Sequence, residues 1–247
     1  MELKGTTAVI TGSSGRLGSV IAQGLAEVGC NCICHYCKNE KRAKQLVEQI
    51  QQSGKKALAV GADLTKPKQI EKLFAKAQQL GMPRILVNSA AVFSRDSLGN
   101  VTFEQAQEIL NLNLTAAILT SQAFAKTIKA EFPDSKLPVA KIINISDIGG
   151  IRPWADYVLY CSSKAGLIGA TKAMAKELAP AILVNSVAPG IIDLPVKLDE
   201  TQEKRQLSFI PMKRFGKINE FNAAIIFLIK NDYITGQVLN VDGGRCI

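Results

Sequence analysis

Residues 8–18 are AVITGSSGRLG, and this stretch decides the fold class. Its first three residues form a short apolar run, which is typical of a buried strand. Its last eight residues, Thr11 to Gly18, include three glycines that permit a sharp turn. From about Ser19 to Val28, apolar residues recur at helical spacing. A strand, a glycine turn and a helix predict the first unit of an α/β sheet.

The same alternation of strand and helix continues along the chain. Further apolar strands are predicted at Cys30–Tyr36, Ala57–Val60, Ile85–Val87, Lys141–Ile145, Ile182–Val187 and Val238–Val241. Continuous apolar strands separated by helices indicate a parallel sheet covered on both faces. Right-handed crossovers then predict an open, doubly wound sheet. Because no repeat or linker interrupts the pattern, we expect a single domain over residues 1–247.

The composition is that of a soluble globular protein. Hydrophobic residues make up 47% of the chain and charged residues 21%. No apolar run approaches the ~20 residues that a bilayer requires, so no membrane span is expected. The segment Met1 to Gly5 lacks the charged-then-apolar pattern of a secretion signal. These features predict a cytoplasmic protein.

The net charge of +9 and the six cysteines are the unusual features of the composition. Lysines and arginines are scattered, and no zinc-finger or aromatic-plus-basic motif is present, so nucleic acid is not expected as a partner. A basic protein that attracts a polyanionic small molecule is the simpler interpretation. Cys30, Cys32 and Cys34 share one face of a predicted strand, as buried thiols would. No metal site is predicted because two separated cysteine pairs are missing.

The glycine turn after the first strand predicts a dinucleotide site. Glycines let the backbone approach a pyrophosphate, and the helix N-terminus supplies N–H groups and partial positive charge. The position at the first strand-to-helix turn strengthens this interpretation, although such turns also occur for steric reasons. The candidate cofactor contacts in this turn are Gly12, Ser14, Arg16, Leu17 and Gly18.

The end of the second strand favours a phosphorylated cofactor. An acid that binds the ribose of NAD is expected there, but the segment contains His35, Tyr36, Cys37, Lys38 and Asn39. Lys38, with Arg16 as a second cation, favours the 2′-phosphate of NADPH. The alternative for Lys38 is an ordinary solvated charge. We also place His35, Tyr36 and Asn39 at the cofactor; His35 is the only histidine, and its position suits ribose or phosphate contact.

Tyr160 and Lys164 are the candidate catalytic pair. Their i, i+4 spacing places both on one helical face. A free tyrosine, with a pKa near 10, is a poor proton source at neutral pH. We expect the Lys164 ammonium to lower the pKa of Tyr160, so that the hydroxyl can protonate an acceptor as hydride arrives.

With these motifs in order, the chain resembles the short-chain dehydrogenase/reductase family over essentially its whole length. The matching segments are Thr11–Gly18, Asp63–Leu64, Asn88–Ala91, Asn113, Ile143–Asp147, Tyr160/Lys164, Pro189–Gly190 and Val241–Gly244. The resemblance implies a Rossmann-type fold, with a cofactor half at about 1–115 and a catalytic and substrate half at about 116–247. It implies cofactor contacts from Asp63, Leu64, Ser89, Ala90, Ala91, Tyr160, Lys164, Pro189, Gly190 and Ile191. It also implies that Asn113 anchors a water that relays protons to Lys164.

Two departures from the family pattern are similar to its pteridine reductase branch. Arg16 replaces the middle glycine of the loop, and Asp147 occupies the place of the catalytic serine, thirteen residues before Tyr160. Neighbouring Ser146 would face the substrate only through a bulge or a register shift, so which of the two does so stays open. Phe93 falls where that branch has an aromatic residue that stacks on the pterin; the alternative is a core phenylalanine.

Asp147 favours an imine-like substrate. An ionised carboxylate beside Tyr160 would repel an alkoxide that forms from a ketone. A carboxyl that exchanges a proton with Tyr160 suits a ring C=N bond, whose nitrogen gains a proton. The alternative is a strand-end acid bonded to backbone. We therefore predict an NADPH-dependent reductase of a pterin or dihydrofolate-like ring. The alternative is a reductase of a 3-oxoacyl thioester or another carbonyl. A non-catalytic NADPH-sensing module is disfavoured because Tyr160, Lys164 and Asn113 are present.

The substrate contacts are predicted from aromatic residues. Phe93, Trp154 and Tyr157 are candidates for an aromatic pocket, and the segment from Ile191 to Phe209 is expected to cover the substrate. The family resemblance implies a homo-oligomer, a dimer or a tetramer.

Overall fold

The computed structural model describes residues 1–192 and 199–247. Seven parallel strands form one sheet in the order β3-β2-β1-β4-β5-β6-β7. The strands are β1 Thr7–Ile10, β2 Asn31–Tyr36, β3 Ala57–Gly61, β4 Pro83–Asn88, β5 Ala140–Ile145, β6 Ile182–Pro189 and β7 Val238–Val241. The helices are α1 Arg16–Glu27, α2 Glu40–Gln52, α3 Pro67–Ala77, α4 Phe103–Leu110, α5 Ala116–Glu131, α6 Val158–Leu178, α7 Glu200–Ser208 and α8 Ile218–Lys230. The predicted doubly wound parallel sheet is confirmed.

The two faces of the sheet carry separate apolar cores. Helices α1, α2 and α8 cover one face with buried residues such as Ile21, Leu46 and Phe221. Helices α3, α5 and α6 cover the other face. Since strand side chains alternate between faces, neighbours such as Val9 and Ile10 contribute to opposite cores. Burial on both sides explains why these strands are continuous apolar runs.

The cysteines in and just before β2 belong to the first core. Cys30, Cys32 and Cys34 are fully buried together on one face, as their spacing predicts. All six cysteines are free thiols. Burial raises the pKa of the Cys30 and Cys34 thiols to about 12, so both stay protonated at neutral pH. Within residues 1–192 and 199–247, no cluster of metal-binding side chains is present.

The strand order positions the site. β1 lies between β2 and β4, so the winding direction of the chain reverses beside β1. In a parallel sheet, the carboxyl ends of all strands lie at one edge, and ligands bind where this reversal opens a crevice. The segments after β1, β4, β5 and β6 therefore meet at this edge. Among the described helices, none is long and apolar enough to cross a membrane.

Candidate active site

The glycine loop connects β1 to α1 with an open helix N-terminus. Gly15 precedes the helix, no side chain caps it, and the first helical hydrogen bond is donated by the Ser19 N–H to the Gly15 carbonyl. Gly12 has a φ of +68°, and a Cβ there would lie 2.7 Å from Ala90 Cα, so the backbone geometry requires glycine. The uncapped N–H groups and partial positive charge of α1 fit a pyrophosphate.

His35 supports this loop from behind. Its Nδ1 accepts a hydrogen bond from the Gly12 N–H at 3.0 Å, and its Nε2 donates to the Ala62 carbonyl at 2.9 Å. Burial lowers the pKa of His35, which keeps the imidazole neutral. Both ring nitrogens are bonded to backbone, so they are not available for the predicted ribose or phosphate contact, and the place of His35 at the cofactor stays a prediction. His35 is a positioning residue for the loop.

The other residues predicted to contact the cofactor near β1 and β2 differ in their exposure and contacts. Lys38 and Arg16 are both exposed, as a phosphate contact requires. The Tyr36 ring lies against Gly61, where a Cβ would be 2.9 Å from Cζ. Asn39 caps α2, since its side chain accepts the Arg42 N–H at 3.1 Å, and its contact with the cofactor stays a prediction. Ser14 is half-buried in the glycine loop, with Leu17 and Gly18 in the first turn of α1.

Asp63 and Leu64, for which the family resemblance implies cofactor contacts, have different surroundings. Asp63 is near the surface, and its carboxylate accepts hydrogen bonds from the Thr65 N–H and hydroxyl. These bonds hold the pKa of Asp63 below its usual value. Leu64 is buried in the second core, so its side chain serves packing. Only its backbone remains for a ligand contact.

The segment after β4 is tied to the glycine loop. The Thr11 hydroxyl accepts the N–H groups of Ser89 and Ala90, at 2.9 and 3.1 Å. Ala91 follows on the exposed side. Asn88 is buried, and its amide donates to Asn144 Oδ1 at 2.9 Å, so it joins β4 to β5. The two loops that were predicted to line the cofactor thus lie side by side.

Asp147 faces Tyr160 across the end of β5. The Tyr160 hydroxyl donates to Asp147 Oδ2 at 2.8 Å, and Asp147 Oδ1 accepts the Gly149 N–H at 2.7 Å. Ser146 is buried on the opposite side, where its hydroxyl donates to the Val187 carbonyl at 3.2 Å. The question left open by the sequence is decided by this geometry. Asp147, and not Ser146, is the partner of the tyrosine.

The charges around the pair reverse one expectation. Lys164 is buried, and its Nζ donates to the Ile145 carbonyl at 2.9 Å, while lying 5.7 Å from the centroid of the Tyr160 ring. Burial and the Asp147 carboxylate raise the pKa of Tyr160 above its ordinary value. The predicted lowering of the Tyr160 pKa is therefore wrong in this structure, because burial and the nearby Asp147 carboxylate determine the direction of the shift. Burial also raises the pKa of Asp147 and lowers that of Lys164 to about 8.

Asn113 connects the catalytic helix to the segment after β4. It lies in a π-helical turn between α4 and α5, a feature that often marks a functional position. Its amide donates to the Val92 carbonyl at 2.9 Å and to the Ser163 hydroxyl at 3.1 Å, and its Oδ1 accepts the Val92 N–H. Ser163 in turn donates to the Tyr160 carbonyl. The sequence did not single out Ser163, although it lies one residue before Lys164.

The predicted aromatic residues converge. Phe93 and Tyr157 stack with ring centroids 5.1 Å apart, and the Phe93 ring meets Tyr160 edge-on at 4.7 Å. Trp154 contacts Tyr157 edge-on at 5.8 Å. Phe93 is 60% exposed, which excludes the alternative of a core residue. The rings of Phe93, Trp154 and Tyr157 line a cavity of about 750 Å³ together with Asp147, Pro189, Gly190 and Ile191.

Three arginines also line this cavity, and the sequence did not single them out. They are Arg95, Arg205 and Arg245. Arg95 forms an ion pair with Asp156, another lining residue. Arg245 follows the Val241–Gly244 motif directly, and that proximity was the only signal available. Of the predicted cover from Ile191 to Phe209, residues 193–198 lie outside the described residues, while Ile192, Gln206 and Phe209 line the cavity.

Comparison with known proteins establishes the family. A family model described as enoyl-(acyl carrier protein) reductase matches residues 13–245. A 3-oxoacyl-[acyl-carrier-protein] reductase of Aquifex aeolicus is 37% identical, over 99% of this chain and 98% of that protein. The chain belongs to the short-chain dehydrogenase/reductase family. As a member of this family it is an oxidoreductase.

Other relatives of this short-chain dehydrogenase/reductase differ in name. A 3beta-hydroxysteroid dehydrogenase of Eggerthella lenta is 33% identical, over 100% of this chain and 95% of that protein. Among solved structures, a short chain dehydrogenase of Burkholderia cenocepacia in complex with NADP superimposes with a TM-score of 0.89 at 31% identity, covering all of both chains. A blue fluorescent protein from a metagenomic library, in complex with NADPH, matches with a TM-score of 0.89 at 30% identity, also over all of both chains.

These comparisons confirm the predicted family and fold, and they do not confirm the pteridine reductase branch. Several curated relatives are named 3-oxoacyl-[acyl-carrier-protein] reductases, which supports the carbonyl-reductase alternative better than the pterin hypothesis. The curated relatives that are 31–37% identical to this chain also include a protein named as a steroid dehydrogenase. The substrate therefore has to be argued from the site.

Proposed function

We propose that this oxidoreductase uses NADPH to reduce the C=N bond of a pterin or dihydrofolate-like ring. One observation carries the proposal: the 2.8 Å hydrogen bond from the Tyr160 hydroxyl to Asp147 Oδ2, at an aromatic cavity. A serine in place of Asp147 would donate a hydrogen bond to a carbonyl oxygen. An ionised carboxylate has no proton to donate.

The described residues fit NADP(H). The glycine loop offers uncapped N–H groups to the pyrophosphate, and Lys38 after β2 and Arg16 at the start of α1 offer two exposed cations for the 2′-phosphate. The solved relatives in complex with NADP and NADPH support the same choice. When bound, the nicotinamide supplies the hydride. Lys164 and the segment from Pro189 to Ile191 are proposed to hold its ribose and ring.

The proton is proposed to come from the Tyr160–Asp147 pair. As an imine carbon gains hydride, its nitrogen gains a proton, which Tyr160 Oη provides and a protonated Asp147 restores. Burial raises the pKa of Asp147, so a larger fraction of this carboxyl is protonated than in an exposed aspartate, and that fraction can restore the proton of Tyr160. In the molecules whose Asp147 is ionised, its charge would oppose the negative charge that develops on a ketone oxygen.

The shape of the cavity suits a flat ring. Phe93 presents an exposed aromatic face, and its stacking with Tyr157 extends that surface. Trp154 lies roughly parallel to the Tyr160 ring at 6.5 Å. Offset stacking on such rings contributes about 0.5–1.5 kcal/mol beyond area burial. A planar heterocycle therefore gains binding energy here that a flexible acyl chain does not.

The second candidate is the reduction of a 3-oxoacyl thioester. The curated relatives named for that reaction favour it, and they favour it better than the pterin reaction. The same Tyr160 and Lys164 would serve, with the carbonyl oxygen as the proton acceptor. Asp147 is the residue that this candidate leaves without a role.

A homo-oligomer, either a dimer or a tetramer, is also proposed from the family resemblance. Light scattering of the purified protein tests this directly. A monomeric mass at micromolar concentration would contradict it.

A substrate comparison tests the main proposal. NADPH oxidation is followed with dihydrobiopterin, dihydrofolate and acetoacetyl thioesters in parallel. We expect turnover of the two pterins and little turnover of the thioester. Turnover of the thioester alone would overturn the pterin proposal in favour of the second candidate.

The Asp147→Ser variant tests the role of the carboxylate. We expect kcat/KM for dihydrobiopterin to fall about a hundredfold, because a general acid–base group is lost. Activity on a ketone should be spared or increased. The control is Ser146→Ala, which removes the neighbouring hydroxyl on the opposite side of the strand and should leave the substrate preference unchanged. The opposite ranking of pterin and ketone in Asp147→Ser would refute the electrostatic argument.

A further inference from the structure

Arg245 is held in place by a tight turn near the end of the chain. The Asp242 carboxylate accepts the N–H groups of Gly244 and Cys246, both at 2.9 Å. Gly243 and Gly244 have φ values of +63° and +86°. Gly190 packs against this turn so closely that a Cβ would lie 2.8 Å from Asp242 Cα. The backbone that carries Arg245 is therefore fixed against the end of β6.

The guanidinium of Arg245 lies between two aromatic rings. Its Cζ is 6.0 Å from the centroid of Trp154 and 5.9 Å from that of Phe209. The side chain is half-buried, and burial lowers the pKa of Arg245. Within residues 1–192 and 199–247, it forms no ion pair and donates no hydrogen bond to another side chain. The rings stabilise a cation whose donors stay available.

Arg245 also lines a smaller cavity beside the main one. The second cavity has a volume of about 260 Å³ and shares Ile148, Trp154, Phe209 and Arg245 with the main cavity. Its lining adds Arg152 and includes no aspartate or glutamate among the described residues. Two arginines without an acid around a pocket of this size indicate a place for an anion.

We propose that Arg245, assisted by Arg152, binds a carboxylate or phosphate group that the substrate carries away from its reacting bond. This inference rests on the proposed function, because it takes the main cavity as the substrate site. The reacting ring or carbonyl lies beside Tyr160 and Asp147, and the anionic tail passes Trp154 into the smaller cavity. Two sources share this chemistry: the glutamate tail of a folate and the phosphates of a coenzyme A thioester.

A purely electrostatic role of Arg245 is the main competing explanation. The Arg245 charge acts against the rise in the pKa of Asp147, although the two side chains form no ion pair. Through Asp147 alone, the loss of that charge would change turnover of neutral and anionic substrates equally. Binding of an anionic tail changes only the anionic substrate, mainly through KM.

Matched substrates separate the two explanations. Dihydrofolate and dihydrobiopterin share the reacting ring, but only the first has a carboxylate tail; acetoacetyl coenzyme A and its uncharged N-acetylcysteamine thioester form the corresponding pair. In Arg245→Gln, we consider the substrate pair that the enzyme turns over. For its anionic member we expect KM to rise about tenfold or more, as for loss of a charge-assisted hydrogen bond. The neutral member should change less than about twofold. Equal losses for both members would overturn the proposal.

Two further variants sharpen this comparison. Arg245→Lys keeps the charge and should recover part of the affinity for the anionic substrate. Lys129→Gln removes an exposed charge on α5 and is the control for net charge. If Lys129→Gln reproduces the KM change of Arg245→Gln, the effect is long-range and the proposal is wrong.

A binding measurement keeps the test independent of turnover. Trp154 is the only tryptophan of the chain, so its fluorescence reports the environment of Arg245. We expect glutarate to change this fluorescence saturably in the wild type, Arg245→Gln to lose the response, and uncharged glutaramide to have no effect. A response that Arg245→Gln retains would overturn the anion site. Saturable glutarate binding without turnover of any pterin or thioester would support the anion site while rejecting the proposed reactions.

Discussion

At the scale of the residue, the pairing of Tyr160 with Asp147 is the central feature of the site. The Tyr160 hydroxyl donates a hydrogen bond to the Asp147 carboxylate, and burial disfavours ionisation of both groups. The sequence suggested that Lys164 would counter this, but its ammonium is bonded to the Ile145 carbonyl. Both groups therefore tend to stay protonated, and in the proposed reduction they can supply the proton that the substrate takes up.

Lys164 should limit activity at alkaline pH. Burial lowers its pKa to about 8, so the ammonium is lost as the pH rises through 8. We expect kcat/KM for reduction to fall above pH 8, because the positive charge of Lys164 near Tyr160 is lost and the proposed contact with the cofactor ribose is weakened. The measurement is a kcat/KM profile from pH 6 to 10, with Lys164→Arg as the variant that keeps its charge throughout. A wild-type profile that stays flat between pH 7 and 9 contradicts this assignment.

The lowered pKa of Lys164 also makes the free energy of unfolding depend on pH. The pKa of Lys164 is about 8 in the folded state and near 10.5 in the unfolded state, so between these values the unfolded chain binds more protons. The Lys164 contribution to the free energy of unfolding therefore rises with pH in this window. The contributions of Lys164 to activity and to stability thus change in opposite directions above pH 8.

At the scale of the element, the glycine loop depends on β2 for its shape. His35 accepts the Gly12 N–H and is buried, so protonation would remove an acceptor from the loop. Burial lowers the pKa of His35 below its ordinary value near 6.5. The contribution of neutral His35 to the free energy of unfolding is therefore fully present above pH 6.5. It decreases as the pH falls below 6.5, because the histidine of the unfolded chain is protonated at a higher pH than that of the folded protein.

His35→Asn tests this support. The Asn amide oxygen can occupy the place of Nδ1 and cannot be protonated. We expect the unfolding free energy of the wild type to fall between pH 6.5 and 5 by more than that of the variant, which has no group to titrate at this position. Urea unfolding at both pH values, followed by circular dichroism, provides the comparison. Identical acid dependence of the two proteins would exclude His35 as the titrating group.

At the scale of the whole molecule, the sheet order brings Lys38 and Arg16 to the crevice beside β1. A ligand at one hundred times its Kd stabilises the folded state by about 2.7 kcal/mol. For a chain of this size we expect NADPH to raise Tm by roughly 5–10 °C, and NADH by less at the same concentration.

Lys38→Glu should reduce the Tm shift with NADPH and spare that with NADH, because the new carboxylate repels the 2′-phosphate. Lys129→Glu makes the same charge change on the exposed side of α5 and should leave both shifts unaltered. Differential scanning fluorimetry measures all four shifts. A larger wild-type shift with NADH than with NADPH would contradict the use of Lys38 and Arg16.

Much of the architecture was predictable, because strand and helix periodicities are local. The strand predicted at Cys30–Tyr36 is Asn31–Tyr36, and that at Val238–Val241 is unchanged. The helix predicted from about Ser19 begins at Arg16, since glycine and arginine in its first turn conceal the start of the apolar pattern. The candidate site was predictable where family motifs identify residues, as for Tyr160 and Lys164, and less so where side chains have structural partners, as for Asn39.

The sequence by itself determined the order of elements, the parallel sheet and the residues that meet at its carboxyl edge, since these follow from spacing along the chain. Only the tertiary structure decided that His35 supports the loop, that Asp147 rather than Ser146 faces Tyr160, and that Arg245 lies between Trp154 and Phe209. These contacts join residues distant in the chain or depend on a side chain's direction at a strand end. Tertiary packing determines the direction of these side chains, so the spacing of residues along the sequence does not predict it.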